Sequence, residues 1–169
     1  MAEAHSSTIA LTINATQQNA VDLNTVKDVL AESWSMALTN GIGANKAENM
    51  FHDKRTIAAS GTDPLDVSGG ITNQFGVSLT FTKIKLIAIR ALAANTNDVG
   101  IARPASNGLP FMEAASDKTV RKPGGIFLHT DPSAAGIPVT AGTGDLIDIT
   151  NEGGGTSVDY EIIIIGETT

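Results

Sequence analysis

Positions 162–165 are four consecutive isoleucines, set in Val158-Asp159-Tyr160-Glu161-Ile162-Ile163-Ile164-Ile165. β-Branched side chains lose χ1 freedom in a helix and sit well on a pleated surface, so the run predicts a strand. Its unbroken apolar character predicts burial on both faces. Upstream, Asp145-Leu146-Ile147-Asp148-Ile149-Thr150-Asn151 reads as a second strand. Glu152-Gly153-Gly154-Gly155-Thr156-Ser157 reads as a flexible connector that would make the two a hairpin. A chain with this core is built from sheets.

With 169 residues, one domain is the simplest reading, long enough to bury about two-thirds of its unfolded surface. Cysteine is absent, which removes disulfides, thiolate nucleophiles and Cys-based zinc sites. The formal charge of −7 repels phosphate backbones and anionic lipid, so neither nucleic acid nor membrane is an expected partner. No basic-then-apolar leader opens the sequence, and no run reaches the ~18 apolar residues of a membrane span, so a product made in the cytoplasm is expected. Charged residues are 17% of the chain, below the usual ~25%, while Thr, Ser, Asn, Gly and Ala abound. Uncharged polar side chains suit pleated strands and contact surfaces, where a desolvated charge costs more than a hydroxyl.

Thr8-Ile9-Ala10-Leu11-Thr12-Ile13-Asn14 alternates with period two, which predicts a half-buried strand. Trp34, Met36 and Leu38 also alternate, so Ser33 to Thr39 reads as a strand. Val21 to Ala31 reads as strand or extended loop, although Val26, Val29 and Leu30 also fit one helical face. Lys54 to Ala59 is a further strand, and Gly61-Thr62-Asp63-Pro64 reads as a turn because Pro cannot donate to a ladder. Leu79 and Phe81 share one parity, and Ile84, Leu86 and Ala88 the other, which implies a bulge near Thr82 and Lys83. Short strands at Val99 to Ala102 and Ile126 to Thr130, with turn signals every ~8–12 residues, predict an all-β, single-domain, jelly-roll-like β-sandwich.

Catalytic signals are thin. His5, His52 and His129 have no second ligand at metal spacing. His52-Asp53 resembles a base with its orienting carboxylate, but no nucleophile or oxyanion site accompanies it. Asp145, Asp148, Glu152, Asp159 and Glu161 lie close in sequence, yet without a calcium-loop pattern, and Asp159 and Glu161 share parity with Ile163 and Ile165. The glycine pairs and triplets lack a phosphate-loop sequel and read as turns. The expectation is a protein that is not an enzyme, with no catalytic residue, cofactor or metal. The concentrated positive patch is Lys118, Arg121 and Lys122, with Lys83 and Lys85 as a candidate second; such a patch reads either as a solvated loop, the favoured reading, or as a contact for an acidic partner surface.

Five segments carry a resemblance when taken as an ordered set. They are Leu38-Thr39-Asn40-Gly41-Ile42-Gly43-Ala44-Asn45-Lys46-Ala47, His52-Asp53-Lys54-Arg55-Thr56-Ile57-Ala58-Ala59-Ser60, Asp66-Val67-Ser68-Gly69-Gly70-Ile71-Thr72-Asn73-Gln74-Phe75-Gly76, Pro123-Gly124-Gly125-Ile126-Phe127-Leu128, and Ala141-Gly142-Thr143-Gly144-Asp145-Leu146 continuing through Val158-Asp159-Tyr160-Glu161-Ile162 to Gly166. This set resembles small virion structural proteins of tailed bacteriophages over about Leu38 to Gly166. The resemblance implies an N-terminal extended arm over 1–37 and a β-sandwich over 38–169. It also implies a capsid decoration or cement role on the virion surface, with the major capsid protein as partner and a homo-oligomer, a trimer by preference. A tail-tip or head-fibre component that contacts the host is the alternative reading, and a free-standing jelly-roll binding module a further one.

Overall fold

The computed structural model describes residues 4–169. Fourteen strands follow one another: β1 (Ser6–Val21), β2 (Asn24–Asn40), β3 (Lys46–Ala47), β4 (Asn49–Ile57), β5 (Thr62–Asp66), β6 (Ser68–Thr72), β7 (Ser78–Thr80), β8 (Lys83–Ala91), β9 (Val99–Ala102), β10 (Lys118–Arg121), β11 (Ile126–Thr130), β12 (Ile137–Pro138), β13 (Leu146–Asn151) and β14 (Val158–Glu167). The all-β sandwich that the strand periodicity predicts is present. One sheet has the order β11-β8-β14-β4, with β12 also on β8, and the other the order β10-β9-β13-β5. Both are antiparallel throughout.

β14 lies between β8 and β4 and forms the spine of its sheet. Val158, Tyr160, Ile162 and Ile164 alternate inward and join Ile87, Ile89 and Ala91 of β8 in one buried cluster with Leu65, Val99, Ile101, Ile147 and Ile149 of the opposite sheet. Each fully buried Ile contributes about 1.5–3 kcal/mol relative to exposure. The isoleucine run is not buried on both faces throughout: Ile165 is covered, but Ile163 is 41% exposed on the outer face. The polar core contact is Tyr160, whose hydroxyl donates to Asp63 Oδ2 at 2.8 Å while Arg55 holds the same oxygen at 2.9 Å. This bridge joins β14 and β4 to β5 across the sandwich, and burial with the Asp63 bond pushes the phenol far above its ordinary range.

Three expectations are corrected. β13 and β14 are not a hairpin, because β13 lies in one sheet and β14 in the other. The Glu152–Ser157 connector crosses between layers and is pinned by buried Asn151, whose Nδ2 donates to the carbonyls of Ala58 at 3.1 Å and Thr156 at 2.8 Å. Pro64 belongs to strand β5 rather than a turn; β5 is an edge strand, so one side of it needs no ladder donor. The bulge falls at Lys85, not Thr82 and Lys83: Ile165 pairs with Leu86 and Gly166 with Ile84, leaving Lys85 between them. The slip places Ile84, Ile87, Ile89 and Ala91 in the main core, whereas Leu86 and Ala88 face outward. A side chain at position 166 would collide with the Lys83 carbonyl oxygen, so glycine is required where the strands close up.

The first two strands stand apart as a ribbon. All 16 residues of β1 pair with β2, through a two-residue turn at Asp22-Leu23, so the helical reading of Val26 to Leu30 gives way to strand. β3 runs parallel to the end of β2 and ties the ribbon root to the sandwich.

The face assignment is checked by two adjacent substitutions. Ile164→Ala should destabilise by about 2–5 kcal/mol in urea titration, and Ile163→Ala by under about 1 kcal/mol. The reverse order would place the wrong face of β14 in the core.

Candidate assembly surface

Antiparallel register sorts the ribbon into two unlike faces. Directly opposed residues point to the same side, and the pairs alternate. One face carries Ile9 opposite Met36, Leu11 opposite Trp34, Ile13 opposite Glu32 and Ala15 opposite Leu30. The other carries Thr8 opposite Ala37, Ala10 opposite Ser35, Thr12 opposite Ser33 and Asn14 opposite Ala31. The first is an apolar stripe and the second a surface of small and hydroxylic residues. Contrary to the half-buried strand expected for Thr8 to Asn14, most of the stripe meets solvent. Leu11 is 44% exposed and Trp34 61%.

At its root the stripe is covered. Leu38, with Ile9 and Met36 beside it, packs on Leu86, Ile165, Ala47 and Ala88, which forms a second, smaller core. This seam lies against the outer face of the β14 sheet. One row further along that face, Leu128, Ala88 and Ile163 lie side by side on β11, β8 and β14, and Leu128 and Ile163 are both open to solvent. Ile126 and Met50 extend the patch. The Arg90–Glu161 ion pair at 2.7 Å and the Lys54–Asp159 pair at 3.2 Å close it on one side.

The basic residues of the sequence analysis have near partners. Lys118 on β10 meets Glu152 at 2.5 Å, and Lys122 meets Asp98 at 2.6 Å. The Arg121 guanidinium lies 5.7 Å from the centre of the Phe127 ring. The patch is thus a set of local pairs in which Lys122 keeps most of its side chain in water. Lys83 and Lys85 do not form a second surface patch, because Lys85 is fully buried. The bulge turns it into the protein, where Nζ meets Glu167 Oε1 at 3.0 Å and donates to the Ser133 carbonyl at 2.6 Å. Lys83 reaches the other carboxylate oxygen at 3.3 Å, and the Gly43 N–H donates to Oε1 at 2.8 Å. Burial alone would raise the Glu167 carboxyl, but the Gly43 bond and both lysines together hold it below the ordinary range.

The histidines do not converge on a catalytic set. His52 and Asp53 are consecutive on β4 and point to opposite faces of its sheet. His52, His5 and Glu48 do line an open cleft of about 310 Å³ at the ribbon root. Glu48 Oε2 accepts from the backbone of Thr168 and Thr169, and Oε1 from the Thr169 hydroxyl at 2.7 Å, so its charge anchors the last two residues. The carboxylates of the final two strands also separate. Asp145 and Asp148 belong to the β13 side, Glu152 pairs with Lys118, and Asp159 and Glu161 lie on the outer face of β14 with Lys54 and Arg90. Burial raises the Asp148 carboxyl. Among the described residues no group of three His, Asp or Glu side chains is placed to hold a metal ion, and no helix is long and apolar enough to cross a membrane. No family model matches the chain, and no curated protein matches its sequence.

The buried ion pair gives a pH signature. The Glu167 carboxyl titrates below its ordinary value near 4.5, so its stabilisation is complete above that pH and is lost as pH falls through the lower folded value. Glu167→Gln should cost about 3–5 kcal/mol at neutral pH, because Lys85 is left buried without its partner, and should flatten part of the acid limb. The double change Lys85→Met with Glu167→Leu should recover most of that loss. Urea midpoints at neutral and acid pH provide the measurement.

Proposed function

We propose that the chain is a structural protein of a tailed-phage particle, a capsid decoration or cement subunit that binds the assembled shell and is not an enzyme. The observation that carries this reading is the long ribbon with one apolar face in water, held out from a sandwich whose own core is complete. Ribbons of this kind serve contact between subunits, since an apolar sheet face is stabilised only when something covers it. The strand orders β4-β14-β8-β11 and β5-β13-β9-β10, with most connections crossing between sheets, support a jelly roll, an architecture used in viral shells and lectins alike. The sequence resemblance selects the virion from among the settings in which that architecture occurs.

The physical logic is linkage. A ligand that binds only the assembled lattice stabilises it, by about 2.7 kcal/mol per site at a hundredfold excess over Kd. An oligomer, here proposed as a trimer, multiplies a modest site affinity through effective concentration. The acidic charge of −7 suits a particle exterior better than contact with packaged nucleic acid. The major capsid protein is accordingly the proposed partner. Purified chain added to undecorated shells should co-sediment with them and raise their heat-disruption temperature. Equal disruption temperatures with and without the chain would defeat the decoration role, and labelled density at the tail instead of over the shell would reassign it to a host-contacting tip.

A further inference from the structure

The molecule carries two open apolar surfaces that are halves of one kind of contact. At the seam, the root of the ribbon stripe already packs on the outer face of the β14 sheet, through Ile9, Met36 and Leu38 against Leu86, Ala88 and Ile165. Beyond the seam the two surfaces part. The stripe continues along the ribbon through Leu11, Trp34, Ile13 and Leu30. The sheet face continues through Ile163, Leu128 and Ile126. Among the described residues, neither continuation is packed against the type of surface that its own root meets.

We infer that the ribbon stripe of one copy seats on the outer β14-sheet patch of a second copy of this chain, repeating between molecules the packing made at the seam. Two observations argue for another copy as the occupant. The seam shows that this stripe and this sheet face fit each other as packed aliphatic layers. From Leu11 to Gln17 the stripe runs about 20 Å along a ribbon about 10 Å wide, roughly 200 Å² in projection, with Glu32, Gln17 and Asp28 set among its apolar residues. Because each copy both donates a ribbon and receives one, the projected area doubles to about 400 Å² per copy. That lies below the roughly 800 Å² per partner of a standard interface, so the contact is a weak, concentration-dependent one. Reciprocal exchange in a dimer and a closed ring of three use the same contact. The inference shares only self-association with the proposed function: a chain that assembles but leaves shells unchanged overturns the decoration role alone.

Trp34 is the one tryptophan of the chain and lies in the stripe, so its emission reports the contact directly. At tens of micromolar the protein should sediment as an oligomer with blue-shifted emission, and dilution should return both to monomer values. Leu11→Asp on the stripe and Ile163→Lys on the patch should each weaken self-association about 30-fold or more, the loss expected for a hot-spot residue. Their urea midpoints should stay near that of the parent, since both side chains are open. Mixed together, the two variants should form heterodimers, because the intact stripe of one can seat on the intact patch of the other. If either variant folds poorly, Trp34→Gln and Leu128→Lys form a second pair, read by light scattering. A parent chain that stays monomeric at high concentration would overturn the inference, whether its Trp34 emission is exposed or buried by collapse onto its own sheet. Undiminished assembly of Ile163→Lys, or absence of heterodimers in the mixture, would overturn it equally.

Discussion

β14 is sandwiched in two directions, and most of the molecule is arranged around that fact. Laterally it has β8 on one side and β4 on the other, so neither edge of its ladder is open. Across its faces, Ile162 and Ile164 point into the main core, and Ile165 points out to the ribbon root. An isoleucine on either side of a central strand has no low-energy place except against another apolar layer. The outward isoleucines therefore require a cover, and the chain supplies it for Ile165 but not for Ile163. The ribbon root, the seam and the open patch all follow from this one strand having apolar residues on two faces.

Polar groups decide where the layers stop. Lys85 occupies the bulge opposite Gly166, and its ion pair with Glu167 fixes the end of β14 against the loops that bring Gly43 and Ser133. A buried pair of this kind adds little net stability over a well-packed apolar pair, but breaking it is expensive. It sits at the point where the register of β14 against β8 shifts. Tyr160, Asp63 and Arg55 do similar work between the sheets, and Asn151 fixes the crossover that separates β13 from β14. These groups confer specificity, whereas the aliphatic layers supply the main driving force.

The sandwich was legible because alternation and turn residues are local signals. Thr8 to Asn14, Ile126 to Thr130 and the isoleucine run each announce a strand within a few residues. Pairing between sheets is not local. Nothing in Glu152 to Ser157 distinguishes a hairpin turn from a crossover, since a glycine-rich connector serves both; the difference lies in Asn151 reaching Ala58, far away in sequence. Lys85 failed as a surface residue for a similar reason, because a one-residue slip at the bulge reverses which side chains point inward. The ribbon surface was half visible. The alternation of Ile9, Leu11 and Ile13, and that of Trp34, Met36 and Leu38, were both plain, but joining them on one face requires the two-residue turn at Asp22-Leu23 that sets the register.

Burial could not be deduced from that alternation, because period two specifies an apolar face and not what lies on it. In a sheet that belongs to a sandwich the second layer comes from the same chain. A two-stranded ribbon has no second layer of its own, since two strands cannot enclose a core. The contrast within β2 illustrates this: Leu38 is buried where the ribbon meets the sheet, and Trp34, on the same face four residues earlier, is 61% exposed. The apolar alternation from Trp34 to Leu38 runs across that boundary unchanged, while the chain covers the stripe only at its root. A ribbon with Thr and Ser on its other face and few charges on either can pass from water to a packed contact at low desolvation cost. Any surface that covered the stripe would favour the ordered ribbon by mass action.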